Sequence, residues 1–310
     1  MKRVFIDGSA GTTGLRIHDR ISMRKDLEVL TLSEETRKDP AARKNAINAS
    51  DIVFLCLPDA AAEEAAQWVN NPDTILIDTS TAHRTSPGWT YGFPELTGQH
   101  DKVAAASRIA NPGCHASGVI ALIRPLIETG MLDPEVLLSC FSLTGYSGGG
   151  KKMIEAYEQP SPDPLFQAPR VYGLTQQHKH IPEIVHICGL KYAPVFSPVV
   201  APYYSGMEVA VPLHASMLNC PVGNLSELFR EYYRNAPLIS VAETSDSFIS
   251  ACQMAGRDDM QILIEGNQDR VTLISLFDNL GKGASGAAIQ NMNIVLDIPE
   301  TTGLITGGKP

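Results

Sequence analysis

Apolar residues follow two different rhythms along the chain, and the change comes near its middle. In the first third, short continuous apolar runs alternate with segments at helical spacing. Met1 to Ile6, Leu27 to Leu32, Asp51 to Pro58 and Thr74 to Asp78 read as strands, and Leu15 to Ile21 and Ala60 to Val69 as helices between them. Continuous apolar strands are those buried on both faces, so this βαβ rhythm predicts a doubly wound parallel sheet. From about Val136 the strand-like segments alternate instead, in Val136 to Thr144, Val199 to Tyr204, Met207 to His214, Ile262 to Asp269 and Arg270 to Phe277. Alternation suits an antiparallel or mixed sheet covered on one face. A late helix, Ala287 to Leu296, is expected to pack back on the first domain.

The fold class that follows is α/β. A Rossmann-type dinucleotide-binding domain is expected over 1–115, completed by the C-terminal helix within 284–310, with an α+β domain carrying a mixed or antiparallel sheet over 116–283. A length of 310 residues agrees with two cores. The net charge of −9 and the absence of any Lys/Arg cluster argue against a nucleic-acid partner. Six cysteines without a CxxC pair suggest reduced thiols in a cytoplasmic protein. No apolar run approaches a membrane span, and no signal-peptide core precedes the first strand.

Chemistry concentrates in a few stretches. Between the first strand and helix stands Gly8-Ser9-Ala10-Gly11-Thr12-Thr13-Gly14, a variant of the dinucleotide fingerprint in which backbone N–H groups approach a pyrophosphate at a helix N-terminus. After the second strand, Glu34 stands where an acid reads the ribose of NAD, whereas Ser33, Arg37 and Lys38 suit the 2′-phosphate of NADP; the two cations favour NADP. Arg84 follows the strand ending at Asp78 and is a candidate for an anionic substrate group. The glycine-rich Gly145 to Lys151, with Ser147 and Lys151, reads as an anion-binding loop without Walker spacing. Gly283 and Ser285, opening the last helix, suit an anion or a closely approaching cofactor.

Two stretches carry reactive groups. Asn111-Pro112-Gly113-Cys114 puts a cysteine behind a Pro-Gly turn and at the start of an apolar helix, where unpaired N–H groups and the helix dipole favour a thiolate. The stretch falls where the nucleotide domain ends, the place where cofactor and substrate are expected to meet. In His178-Lys179-His180-Ile181-Pro182-Glu183, an extended chain up to a helix begun by Pro182 would project both histidines to one side, with Glu183 in the first helical turn. One histidine could exchange protons while Glu183 orients it; a His-x-His metal site and a plain polar helix entry are the rival readings.

Taken together, the glycine loop, Tyr91 to Leu96, Asn111 to Cys114, His178 to Glu183 and Asp278 to Gln290 resemble the N-acetyl-γ-glutamyl-phosphate reductases of arginine biosynthesis, in their shorter subtype. The resemblance spans the whole chain. It implies NADPH-dependent reduction of an acyl phosphate to an aldehyde with release of phosphate, on a fold shared with aspartate-semialdehyde dehydrogenase and as a homo-oligomer. It further implies that Cys114 forms a thioacyl intermediate, that His178, in preference to His180, serves as acid/base, and that Arg84, Ser147 and Lys151 hold the substrate. The glycine loop with Ser33, Arg37 and Lys38, together with Gly283 and Ser285, would contact NADP, and no resident metal is implied. Reduction of a related acyl phosphate (N-acetyl-aminoadipyl or aspartyl), or a non-catalytic NADP-binding sensor, are the alternatives.

Overall fold

The computed structural model describes residues 1–9 and 11–307, which form two compact units. The first comprises Met1–Pro94, Gly98–Pro112 and Ala284–Leu304; the second comprises Glu95–Thr97, Gly113–Gly283 and the described residues from Ile305.

In the first unit, β1 (Lys2–Asp7), α1 (Thr12–Ser22), β2 (Leu27–Leu30), α2 (Pro40–Asn48), β3 (Ile52–Leu55), α3 (Asp59–Gln67), β4 (Ile75–Asp78), β5 (Thr90–Tyr91), α4 (Gln99–Ala104) and β6 (Arg108–Ala110) follow in order. The strands lie β2-β1-β3-β4-β6-β5, all parallel. Neighbouring residues of β1 serve opposite faces. Val4 and Ile6 pack with Ile17 and Ile21 of α1 and with Ala288, Ile289 and Met292 of the C-terminal helix, Gly286–Val295. Phe5 packs with Ile47 of α2 and with Ala62 and Ala65 of α3. Both faces are thus covered, which is why β3 is apolar at all four positions. Asp39 starts α2 by accepting the N–H groups of Ala41 and Ala42 ahead of Pro40. The strand order reverses between β1 and β3, and in such sheets ligands bind outside the carboxyl ends of the strands at that reversal.

The second unit holds α5 (Cys114–Glu128), β7 (Ser139–Gly145), α6 (Gly150–Glu158), β8 (Arg170–Val171), α7 (Ile181–Cys188), β9 (Val195–Ala201), β10 (Met207–His214), α8 (Leu225–Tyr232), β11 (Ile239–Val241), β12 (Met260–Gly266) and β13 (Arg270–Phe277). Its mixed sheet runs β11-β12-β13-β10-β7-β9-β8. The alternation in β10 buries Met207, Val209, Val211 and Leu213. Helix α5 lies on that face at Gly118, where a Cβ would come within 2.4 Å of Val209 Cγ2 and 2.8 Å of Ser275 Oγ. The helix Gly286–Val295, α9, belongs to the first unit, as its late apolar spacing led one to expect.

Candidate active site

Cys114 is the first residue of α5, with Gly113 as its extended N-cap. The N–H of Gly113, buried at the helix entrance, donates to Glu183 Oε1 at 2.8 Å. Glu183 Oε1 thus holds the turn that precedes Cys114; the expectation from sequence is that Glu183 orients a histidine. Behind the thiol, Gly283 comes so close that a Cβ there would stand 2.9 Å from Cys114 Cβ, 3.2 Å from Asp278 O and 3.3 Å from Phe277 Cε2.

Gly283 belongs to a π-helical turn, Gly281–Ser285. Asp278 builds it: Oδ1 accepts the N–H groups of Leu280 (2.7 Å) and Gly281 (3.0 Å), and Oδ2 accepts the Gly256 N–H (2.6 Å) and the Ser205 hydroxyl (2.8 Å). Lys282, 1% exposed, is paired with the equally buried Glu95 at 2.5 Å. Ser285 is buried at the end of the turn, within the first unit. This buried scaffold was missed from sequence, where Gly283 and Ser285 drew notice; the signal was the Asp278-Asn279 pair just before them.

The histidines cluster, although the chain leading to them turns and is not extended. His178 O accepts from Ile181 N at 2.9 Å, and His180 caps α7 in a helical conformation. The rings of His178 and His180 stand 4.8 Å apart, and each approaches His115, at 5.4 and 5.6 Å. His180 N–H donates to His178 Nδ1 at 3.2 Å, so the neutral His178 ring carries its proton on Nε2. Burial, and then the Lys179 ammonium, push the His178 pKa down to about 4, so the ring is neutral at pH 7. Among the described residues, no group of three His, Cys, Asp or Glu side chains is placed to hold a metal ion.

The expected anion-binding loop takes a different form. Residues Tyr146–Gly149 make a 3-10 turn that runs into α6. Ser147 is 1% exposed and its Oγ accepts from Asn279 Nδ2 at 3.0 Å, while Lys151 extends into solvent beside Glu155. These two therefore do not form one site.

In the first unit, Gly8 (φ +89°) and Gly14 show why the fingerprint needs glycine: a Cβ would come within 2.2 Å of Cys56 O at the first and 2.5 Å of Gly8 O at the second. Gly11 N donates to Gly8 O at 3.1 Å and caps α1, of which Thr12 and Thr13 form the first turn; Ala10 lies outside the described residues. A cleft opens here, lined by Gly8, Ser9, Thr31, Leu32 and Arg37. Arg37 pairs with Glu34 at 2.7 Å across the turn that Ser33 begins by accepting Thr36 N and Arg37 N; Ser33 and Lys38 are exposed. The cradle fits a dinucleotide, with backbone N–H groups for the pyrophosphate and Arg37 for a 2′-phosphate. Asp7, overlooked in the sequence, ends β1 and is gripped by Arg43 through Nε (3.0 Å) and Nη2 (2.9 Å). Arg84 is 8% exposed and directs Nε to Asn111 O (3.0 Å) and Nη2 to Thr79 O (3.2 Å), so it braces the backbone that leads into Gly113.

Comparison with known proteins matches residues 3–104 to the semialdehyde dehydrogenase NAD binding domain and residues 114–279 to the semialdehyde dehydrogenase dimerisation domain. The chain is 42% identical over 304 residues to N-acetyl-gamma-glutamyl-phosphate reductase 2 of Pseudomonas putida, covering 94% of this chain and 96% of that protein. It is 42% identical over 305 residues to the N-acetyl-gamma-glutamyl-phosphate reductase of Rhizobium etli, at 95% and 98% coverage. Among solved structures, aspartate semialdehyde dehydrogenase II of Vibrio cholerae complexed with ASA superposes with a TM-score of 0.73 at 15% identity, covering 96% and 98% of the two chains. Aspartate semialdehyde dehydrogenase of Candida albicans with NADP gives 0.68 at 15% identity, covering 96% and 99%. At that identity these two speak for the fold alone.

Proposed function

We infer the reaction from family: the chain belongs to the N-acetyl-γ-glutamyl-phosphate reductases, within the semialdehyde dehydrogenase family. It is an NADP-dependent oxidoreductase that converts N-acetyl-γ-glutamyl phosphate to N-acetylglutamate 5-semialdehyde and phosphate, a step of arginine biosynthesis. The observation that carries the mechanism is the placing of Cys114 as first residue of α5, with the N-cap N–H beside it held by Glu183.

In this reading the helix N-terminus stabilises the Cys114 thiolate. Its sulfur attacks the acyl carbon, the C–S bond forms, and the bond to the phosphate oxygen breaks with the electron pair leaving on phosphate. NADPH, when bound, would supply the hydride that brings the acyl carbon to the aldehyde level, after which the C–S bond breaks and its electron pair returns to Cys114 as the thiolate. His178, neutral and carrying its proton on Nε2, donates to the oxyanion as the carbonyl carbon becomes tetrahedral. Because the His178 Nδ1 lone pair is engaged by His180 N–H, we give His178 the donor's part and assign proton acceptance to His180, a change from the sequence-based preference for His178 alone. Gly8 to Gly14 and Arg37 would hold the cofactor.

No helix among the described residues is long and apolar enough to cross a membrane. We place the enzyme in the cytoplasm on its biosynthetic role and its six free thiols. The match to a dimerisation domain supports a homo-oligomer, and the outer face of β7 and β9, which exposes Phe141 (49%) and Val195 (58%), is the surface we assign to a second copy.

The test is the reverse reaction. Phosphate-dependent reduction of NADP by N-acetylglutamate 5-semialdehyde is expected of the enzyme and lost in Cys114→Ser, while NADP still binds. Turnover close to the unmodified enzyme in that variant would remove Cys114 from the mechanism.

A further inference from the structure

The acyl phosphate carries two anionic groups, the phosphate on the carbon that Cys114 attacks and a carboxylate at the other end of the glutamyl chain. The second calls for a cation set away from the thiol. In the second unit Lys151 extends into solvent beside Glu155, whereas Arg170, the first residue of β8, is half-buried and pairs with no carboxylate among the described residues. Its Nη2 donates to Tyr157 Oη at 2.8 Å, and its Nε is buried with no acceptor. The guanidinium carbon lies 4.0 Å from the centre of the Phe166 ring and 5.3 Å from that of Tyr157, two rings stacked on each other at 4.7 Å. A planar cation is thus held in one orientation by aromatic faces and a single hydrogen bond. Keeping a guanidinium there with an unmet N–H and no counter-charge costs stability, which points to a ligand as its use.

Strand pairing shows which way Arg170 faces. It stands opposite Val200 in the antiparallel pair β8–β9, and two residues on, the Tyr172 N–H donates to Pro198 O at 3.0 Å, so Arg170 and Tyr172 share a face of the sheet. That face is the covered one, since Pro198 and Val200 are both buried. There Tyr172 Oη lies 2.6 Å from His115 Nε2, and Ser142 Oγ, opposite Pro198 on β7, lies 2.6 Å from His115 Nδ1. His115, the residue after Cys114, therefore sits over the row Tyr172, Pro198, Ser142. The neighbouring row on this face runs Arg170, Val200, Thr144, Met207, Phe277. A Cβ on Gly283 would meet Cys114 Cβ at 2.9 Å and Phe277 Cε2 at 3.3 Å, which puts Cys114 on the Arg170 side of His115. Successive rows are about 6.8 Å apart along a strand, a reach of the same order as that of a glutamyl chain from acyl carbon to carboxylate.

We propose that Arg170 receives the substrate's carboxylate and so determines specificity, a role that rests on the reaction and on Cys114 as inferred above. The terminal N–H fork of the guanidinium pairs with the two carboxylate oxygens, and the glutamyl chain runs from there along the sheet to the thiol. Tyr157 and Phe166 are positioning residues for the fork, since they fix its plane before the substrate arrives.

The experiment compares two aldehydes in the phosphate-dependent reduction of NADP by the full-length enzyme: N-acetylglutamate 5-semialdehyde, and 4-acetamidobutanal, the same molecule with hydrogen in place of the carboxylate. The unmodified enzyme is expected to favour the first by about a hundredfold in kcat/KM, the scale of a charge-assisted bidentate pair. Arg170→Met should lower kcat/KM for the first by about that factor, chiefly through KM, and leave the second within about twofold. Arg170→Lys keeps the charge but loses the planar fork, and should fall between the two. A merely structural arginine would damage turnover of both aldehydes alike, and that result overturns the proposal. So does a KM that rises in Arg170→Met for phosphate and not for the aldehyde, because the cation would then serve the other anion. If Arg170→Met fails to fold by circular dichroism, Arg170→Lys decides on the same comparison. An unmodified enzyme that turns over neither aldehyde refutes the reaction, and the proposal falls with it; one that turns over both equally well refutes the carboxylate site alone.

Discussion

Gly283→Ala puts the packing behind the thiol to a direct test. The added Cβ would stand 2.9 Å from Cys114 Cβ, and ordinary contact begins near 3.4 Å, so about 0.5 Å of movement must be found. The other two close atoms are Asp278 O and Phe277 Cε2, one of them backbone and the other part of a fully buried ring, so neither yields as a flexible side-chain tip would. Cys114 and its helix entrance are the parts left to move. Overpacking of this kind costs about 1–3 kcal/mol, and a misplacement of about 1 Å at a reacting group costs roughly a hundredfold, so half of that displacement corresponds to about tenfold. The expected result is a kcat about tenfold lower in the phosphate-dependent reverse assay, together with a lower melting temperature by calorimetry. A variant whose kcat stays within about twofold and whose melting temperature does not move would show that the turn does not constrain the nucleophile.

Three further outcomes follow from the same geometry. Asp278→Asn must turn an amide NH2 toward groups that donate, three of them backbone N–H, and should destabilise the fold by about 2–3 kcal/mol in urea titration; unaltered stability would show that the turn does not need the carboxylate. Glu183→Ala leaves the Gly113 N–H buried without that acceptor and should lower kcat more than Glu183→Gln, whose amide oxygen can still accept; equal kcat in the two would contradict the pinning. His178, with a folded pKa near 4 against 6.5 unfolded, binds fewer protons folded than unfolded between those values. Stability therefore rises with pH across that window and falls on acidification, by up to about 1.36 kcal/mol per unit from this group. His178→Gln should flatten that decline in denaturant titrations at stepped pH, and an unchanged slope would count against the burial of a neutral ring.

Sequence alone determined the local elements and the chemistry that local geometry dictates. Continuous apolar runs separated by helical segments specified a parallel sheet because its strands have no wet face, and the alternation in Met207 to His214 specified a one-sided sheet for the opposite reason. A cysteine after Pro-Gly and before an apolar run is at a helix start whatever the rest of the chain does, so Cys114 was legible. The same holds for the crowding at Gly8 and Gly14, since a strand that turns at once into a helix leaves no room for a side chain.

Only the tertiary structure decided the partners, because hydrogen bonds between residues far apart in the chain leave no periodic trace. Glu183 is 70 residues from the Gly113 N–H that it holds, and Glu95 is 187 residues from Lys282. The Asp278 turn likewise draws on Ser205 and Gly256, which no spacing links to it. The same cause placed two of the candidate side chains. Ser147 turned inward because Asn279 offered a buried donor, and Arg84 turned to backbone carbonyls that a solvent-facing arginine would not meet. The sequence thus set which residue types stand at the candidate site, while the folded chain set which neighbours hold each one in place, because placement depends on contacts that form only on folding.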